Sequence, residues 1–107
     1  MTNLLQVSIA CGSETEAQAI AQALVERHLA ACVQSHSITS TYRWQGTIET
    51  AAEVMLTVKT RTDKLEALEA CVCELHSYDV PEIIAQAVVW AHEPYARWLN
   101  AALAPDE

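Results

Sequence analysis

Residues 31–59 read ACVQSHSITSTYRWQGTIETAAEVMLTVK, and the reading of this stretch decides the fold. From Ala31 to Trp44, Ser, Thr, Val, Ile and Tyr dominate, the residue types that suit a pleated, half-buried surface. After Gln45-Gly46, Thr47 to Lys59 reads as extended again, with Val54, Leu56 and Val58 alternating against Met55, Thr57 and Lys59. A Gly between two long extended runs is a hairpin signal. The alternation blurs at Ala51-Ala52, where a bulge is expected. One short helix cannot cover an arm as long as 31–44. Its far half needs partners, and Thr39, Ser40 and Thr41 are neutral and flat enough to pair with a foreign strand. Closed cyclic pairing of copies would satisfy such edges.

Upstream, Leu5, Val7, Ile9 and Cys11 alternate with Gln6, Ser8 and Ala10, the period of a strand with one better-buried face. Gly12 permits a sharp exit, and Ser13-Glu14-Thr15-Glu16 fits a capping box in which Glu16 reaches back to the cap. Ala17, Ile20, Ala21 and Leu24 give a helix with one buried stripe, closed by Arg27 and His28, whose charge suits a helix C-terminus.

Downstream, Thr62 or Asp63 is expected to cap a helix, with Asp63 and Glu66 as a second box-like pair and Leu65, Leu68, Val72 and Leu75 as its stripe. His76 to Glu82 is a loop, since Pro81 blocks helix continuation. Ile83 to Trp90 is nearly all apolar and reads as a strand buried on both faces. Pro94 suits the first turn of a last helix, with His92 near its start and Tyr95, Trp98, Leu99 and Ala102 on one side. The order is βαββαβ plus a C-terminal helix: a single domain over 1–107, of α+β class, a ferredoxin-like sandwich with a long central hairpin.

Composition narrows the function. The chain has 107 residues, a formal net charge of -8 and 51% hydrophobic residues, enough for one packed core. Its charge disfavours nucleic-acid backbones, so no nucleic-acid partner is expected. No basic N-terminal region or membrane-length apolar run is present, so no membrane partner is expected and a cytoplasmic location follows. There Cys11, Cys32, Cys71 and Cys73 are expected as reduced thiols, with Cys32 in the core. No Gly-x-Ser-x-Gly elbow occurs, and Gly12 and Gly46 stand alone rather than in a phosphate-binding loop. The chain does not read as an enzyme.

Five landmarks together resemble the CutA divalent-cation tolerance family over nearly the whole chain. They are Leu29-Ala30-Ala31-Cys32-Val33, Tyr42-Arg43-Trp44-Gln45-Gly46, Val58-Lys59-Thr60, His76-Ser77-Tyr78-Asp79-Val80-Pro81-Glu82-Ile83-Ile84, and Tyr95-Ala96-Arg97-Trp98-Leu99. The resemblance implies a ferredoxin-like homotrimer in which hairpins of neighbouring subunits pair. Three departures stand out. Ser77 replaces the family's usual Pro, Gln45 its usual Glu, and His36-Ser37-Ile38 occupies the place of a Pro-Gly bend.

The resemblance also implies metal ions, copper above all, as ligands of the protein. Copper ligation in the family is attributed to a Cys at the end of the first strand and to His after the second helix, and Cys11 and His76 stand there. A second family His falls on Leu75, which cannot ligate. Thiolate and imidazole suit copper or zinc, but two ligands are fewer than a structural site takes, and Glu82 is the candidate for an added oxygen. The alternative for this pair is a buried thiol and a loop-capping imidazole. A second class is a PII-like small-ligand sensor or signalling scaffold binding a metabolite or anion between subunits, with Tyr42, Trp44, Lys59, Tyr78, Pro81 and Trp98 as cleft candidates alongside Glu82. Filling of a subunit seam is the preferred reading of those aromatics, since Tyr and Trp are enriched in interfaces.

Overall fold

A computed structural model describes residues 2–105. Its elements are β1 (Leu4–Cys11), α1 (Glu14–Glu26), β2 (Cys32–Trp44), β3 (Thr47–Arg61), a 3-10 turn (Thr62–Lys64), α2 (Leu65–Leu75), β4 (Ile83–Ala87) and α3 (Glu93–Ala102). The sheet order is β2-β3-β1-β4 with every neighbouring pair antiparallel, and this is the ferredoxin-like arrangement expected.

Register shows which face each residue occupies. Val7, Ile9 and Cys11 of β1 lie opposite Val58, Leu56 and Val54 of β3, and this face meets Ala17, Ile20 and Leu24 of α1 and Leu68, Cys71 and Val72 of α2. The other face carries Gln6, Ser8 and Ala10 beside Lys59, Thr57 and Met55; neither α1 nor α2 packs on it, and α3 meets it only at its Leu4 end. Leu4 and Ala31 join Leu99 and Leu103 in a second, smaller core at the start of β1. Thr60, fully buried, donates its hydroxyl to Leu29 O at 2.7 Å and ties the end of α1 to the sheet.

The hairpin is more regular than its sequence suggests. Pairing runs without interruption from Cys32↔Lys59 to Trp44↔Thr47, so the bulge expected at Ala51-Ala52 does not form. Small Ala side chains weaken the alternating signal without altering the pleat. Gln45 and Gly46 have φ of 47° and 82°, and two positive values in a two-residue loop make the turn that matches strand twist. At about 3.4 Å per residue, the 13 residues of β2 span about 44 Å, close to the molecule's 47 Å long axis. The 13-residue α1 covers only about 20 Å of it. The far half of the ribbon therefore projects beyond the helices, with Trp44 and Ile48 exposed.

Several local expectations are corrected. β4 ends at Ala87 at a sheet edge, and because α1 and α2 pack on one face only, just its Ile83 side meets the main core; Ile84 is 54% and Trp90 75% exposed. Ser13 does cap α1, accepting from Glu16 N at 3.2 Å, but the Glu16 carboxylate turns elsewhere. α1 closes with His28 at φ 58° and bonds from Leu29 N to Leu24 O and from His28 N to Val25 O, the paired pattern that ends helices in the left-handed region. Asp63 does not cap α2; its carboxylate takes two bonds from Arg61 instead. Cys32 sits half-buried on the uncovered face rather than in the core. Along α3 the buried contacts come from Leu99 and Leu103, while Tyr95 and Trp98 stack on each other outside, ring centroids 5.5 Å apart.

Two substitutions separate these layers. Leu24→Ala removes a fully buried side chain and is expected to cost about 2–5 kcal/mol in urea unfolding. Gly46→Ala meets no neighbour but forces a side chain into positive φ, at about 1–2 kcal/mol. Its signature is faster amide exchange across the hairpin tip.

Candidate metal centre

Three elements converge where β1 ends. Cys11 is its last residue, on the helix-covered face and fully buried. Because Ser13 starts α1 two residues later, the first helical turn carries Glu16 back over that strand end, a position favoured for a carboxylate by the helix dipole. α2 stops at His76, whose extended backbone turns the chain away while its imidazole enters the core.

The His76 ring is fully buried and wholly committed. Its Nε2 lies 2.7 Å from Ala10 O, so Nε2–H donates there and ties α2 to β1. Its Nδ1 accepts from Tyr78 N at 3.1 Å. These two partners assign the neutral Nε2–H tautomer. Glu16 Oε1 approaches Nδ1 to 3.4 Å, and Oε2 accepts from Ser77 N at 3.2 Å. Oε1 is buried without any hydrogen-bond partner. Two acceptor atoms thus face each other, and one donor atom from each of Cys11, Glu16 and His76 lies within 4.8 Å of the others.

The donor set fits a borderline divalent ion. A tetrahedral shell at ordinary bond lengths puts ligand atoms roughly 3.5 Å apart, a spacing that Nδ1 and Oε1 already have. Ligation through Nδ1 would leave Nε2–H on a backbone carbonyl, the outer bond that metal-bound imidazoles usually keep. Cys11 is a neutral thiol in this setting. Burial, then the negative charges of Glu16 and Glu53, push it from 9.0 up to about 11.

Glu82 is not part of this cluster. Its neighbour Ile83 faces the helices opposite Ile9, so alternation turns Glu82 to the uncovered face, away from Cys11. Leu75, at the second family His position, is exposed and offers no donor. Glu16 takes the place proposed for Glu82. Its capping-box spacing gave a sufficient explanation in sequence, and only the docking of the 76–82 loop reveals its second use.

On the uncovered face lies a cavity of about 670 Å³ lined by Tyr42, Trp44, Glu53, Tyr78, Asp79 and Glu82 among others. Tyr78 donates its hydroxyl to Glu53 Oε2 at 2.9 Å, and burial followed by that carboxylate pushes its pKa up to about 12. Four of the cleft and acidic candidates therefore meet: Tyr42, Trp44, Tyr78 and Glu82. Pro81 adjoins the cavity without lining it. Lys59 bonds Gln34 near the other end of the sheet, and Trp98 sits on α3 beside the start of β1, about 24 Å away along the strand. With three carboxylates and no cationic side chain among the described lining residues, the cavity does not suit the anion considered from sequence.

Comparison with known proteins agrees with this architecture. The family profile described as CutA1 divalent ion tolerance protein matches residues 5–102. The chain is 45% identical over 95 residues to the Divalent-cation tolerance protein CutA of Thermus thermophilus, covering 88% of this chain and 92% of that protein. It is 42% identical over 93 residues to the Protein CutA homolog of Xenopus laevis, covering 86% of this chain but spanning only 62% of that relative's length. Among solved structures, the periplasmic divalent cation tolerance protein CutA of Archaeoglobus fulgidus superposes with a TM-score of 0.93 at 34% identity, covering 94% of this chain and 99% of the other.

The thiol makes stability depend on pH. Its folded pKa lies above the unfolded value, so its contribution is complete below pH 9 and is lost as pH rises to about 11. Wild type is expected to lose on the order of 2 kcal/mol over that window relative to Cys11→Ser, read from urea midpoints at each pH.

Proposed function

Because this chain belongs to the CutA1 divalent ion tolerance family, we propose that it serves divalent-cation tolerance by holding copper, or another borderline divalent ion, on Cys11, Glu16 and His76 within a homotrimer. The observation that carries this reading is the buried, unpartnered Glu16 Oε1 facing His76 Nδ1 beside a buried thiol. Buried acceptors at that spacing repel unless a proton or cation lies between them. A thiolate and a carboxylate would balance a double positive charge, so the loaded site would bury no net charge. Sulfur and imidazole nitrogen favour copper or zinc over harder ions.

Three subsidiary readings follow the same line. Assembly is supported by the projecting ribbon and by Tyr42, Trp44, Ile48 and Ile84, large apolar or aromatic side chains left exposed on β2, β3 and β4. The protein is read as a binder rather than an enzyme, since the thiol beside the imidazole is neutral and therefore a poor nucleophile. Cys73 is an exposed, unpaired thiol, which favours a reducing compartment and hence the cytoplasm. Among the described residues no helix is long and apolar enough to cross a membrane.

A second reading, a PII-like small-ligand sensor, is favoured by the cavity on the uncovered face. Its size falls within the range of small-molecule pockets. Its carboxylates and aromatic rings would select a cationic occupant.

Zinc calorimetry on wild type, Cys11→Ser, Glu16→Gln and His76→Ala tests the first reading. Each substitution is expected to weaken binding by at least ten-fold. Equal heats in all four proteins would remove the site. Light scattering at micromolar concentration is expected to give three chain masses, and a stable single copy would remove the trimer.

A further inference from the structure

Tyr78 links the buried donor trio to the cavity on the opposite face of the sheet. Its backbone N–H donates to His76 Nδ1 at 3.1 Å and its hydroxyl to Glu53 Oε2 at 2.9 Å. Its ring packs over Gly12, where a Cβ would come to 3.0 Å from the hydroxyl oxygen and 3.3 Å from Cε1. It also lies against the His76 ring, with centroids 4.7 Å apart. The loop after α2 is thus fastened at three points around the end of β1.

We infer that Tyr78 is a latch on the donor trio, closed by its hydroxyl bond to Glu53, and that its backbone N–H competes with a cation for the Nδ1 lone pair of His76. This inference rests on the reading that Cys11, Glu16 and His76 take a divalent ion. An imidazole nitrogen that accepts has a single in-plane lone pair. Nε2 is occupied by its bond to Ala10 O, so Nδ1 is the only atom through which His76 can ligate without losing that tie. Tyr78 N–H already occupies Nδ1. The latched loop and full ligation by His76 are therefore mutually exclusive, and apparent affinity scales with the unlatched fraction.

The bond that closes the latch, from the Tyr78 hydroxyl to Glu53, lies outside the trio. Glu53 and Tyr78 are both walls of the cavity, so the closing bond is made where a second molecule can reach it. Linkage then runs both ways. Ligation at Nδ1 releases Tyr78 from the cavity wall, and whatever draws Glu53 away from the Tyr78 hydroxyl strengthens ligation by the same factor. Tyr78 is a positioning residue here, acting through His76 rather than touching the ion.

The test is a cobalt(II) titration of wild type, Tyr78→Phe and Gly12→Ala, followed by the thiolate-to-cobalt absorption band that reports Cys11. Tyr78→Phe removes the hydroxyl tie, and Gly12→Ala pushes the ring off without needing a strained backbone. Both are expected to bind roughly three- to ten-fold more tightly than wild type, with the same band. A purely structural Tyr78 would give weaker binding in both, and equal or weaker binding overturns the latch. Amide exchange in zinc gives a second readout: the Tyr78 N–H should lose protection at saturation. Protection that persists there also overturns the latch. If wild type shows no band at all, the cation reading fails and the latch fails with it, an outcome distinct from binding at equal strength.

Discussion

Two helices cover one face of a four-stranded sheet while α3 meets the other only at its Leu4 end, and most of the molecule follows from that asymmetry. Val7, Ile9, Leu56 and Val58 face Ile20, Leu24, Leu68 and Val72, and this single layer supplies the main core. At about 25 cal/mol per Å² of apolar surface buried, no other contact in a chain this small competes with it. The helices are short, so the core is short. The ribbon, twice their length, extends past it.

The donor trio lies where the covered layer ends. There the strand stops, one helix begins and the other terminates, so unpaired backbone groups of three elements meet. Ser13 Oγ, Glu16 Oε2, His76 Nε2 and His76 Nδ1 each satisfy one backbone partner. Glu16 Oε1 is the atom left over. A capping carboxylate and a loop-capping imidazole are ordinary structural devices taken separately. Brought to 3.4 Å beside a buried thiol, they place three potential ligand atoms within 4.8 Å of one another.

Tyr78 matters because it turns the strand end from a wall into a connection. The covered face holds the trio, the uncovered face holds the cavity, and one residue hydrogen-bonds into both. Gly12 is what allows this, since a side chain there would occupy the space of the Tyr78 ring. Its role is close approach rather than an unusual backbone angle. Gly46 is the opposite case, needed for its positive φ where no neighbour is near.

Local chemistry was legible in the sequence wherever one element carried the whole signal. Alternation in β1 and the hairpin, the Ser13 cap, the α1 and α2 stripes and Pro94 at the start of α3 all follow from residues a few positions apart, and their order implied the ferredoxin-like topology. Cys11 and His76 were identifiable through the family resemblance rather than through local pattern, and the structure does bring them together. What the sequence left undecided was which side of the sheet a loop residue reaches. Glu82 is six positions from His76 and looked like its partner, yet it faces away. Glu16 is 60 positions from His76 and already explained by capping, yet it is the neighbour. The apolar run 83–90 misled for the same reason, because composition reports that a strand avoids water without saying whether its own chain covers it. Period and propensity are properties of a segment; the face a side chain meets is fixed by how distant segments dock, through burial and hydrogen bonds that exist only once the sheet has closed.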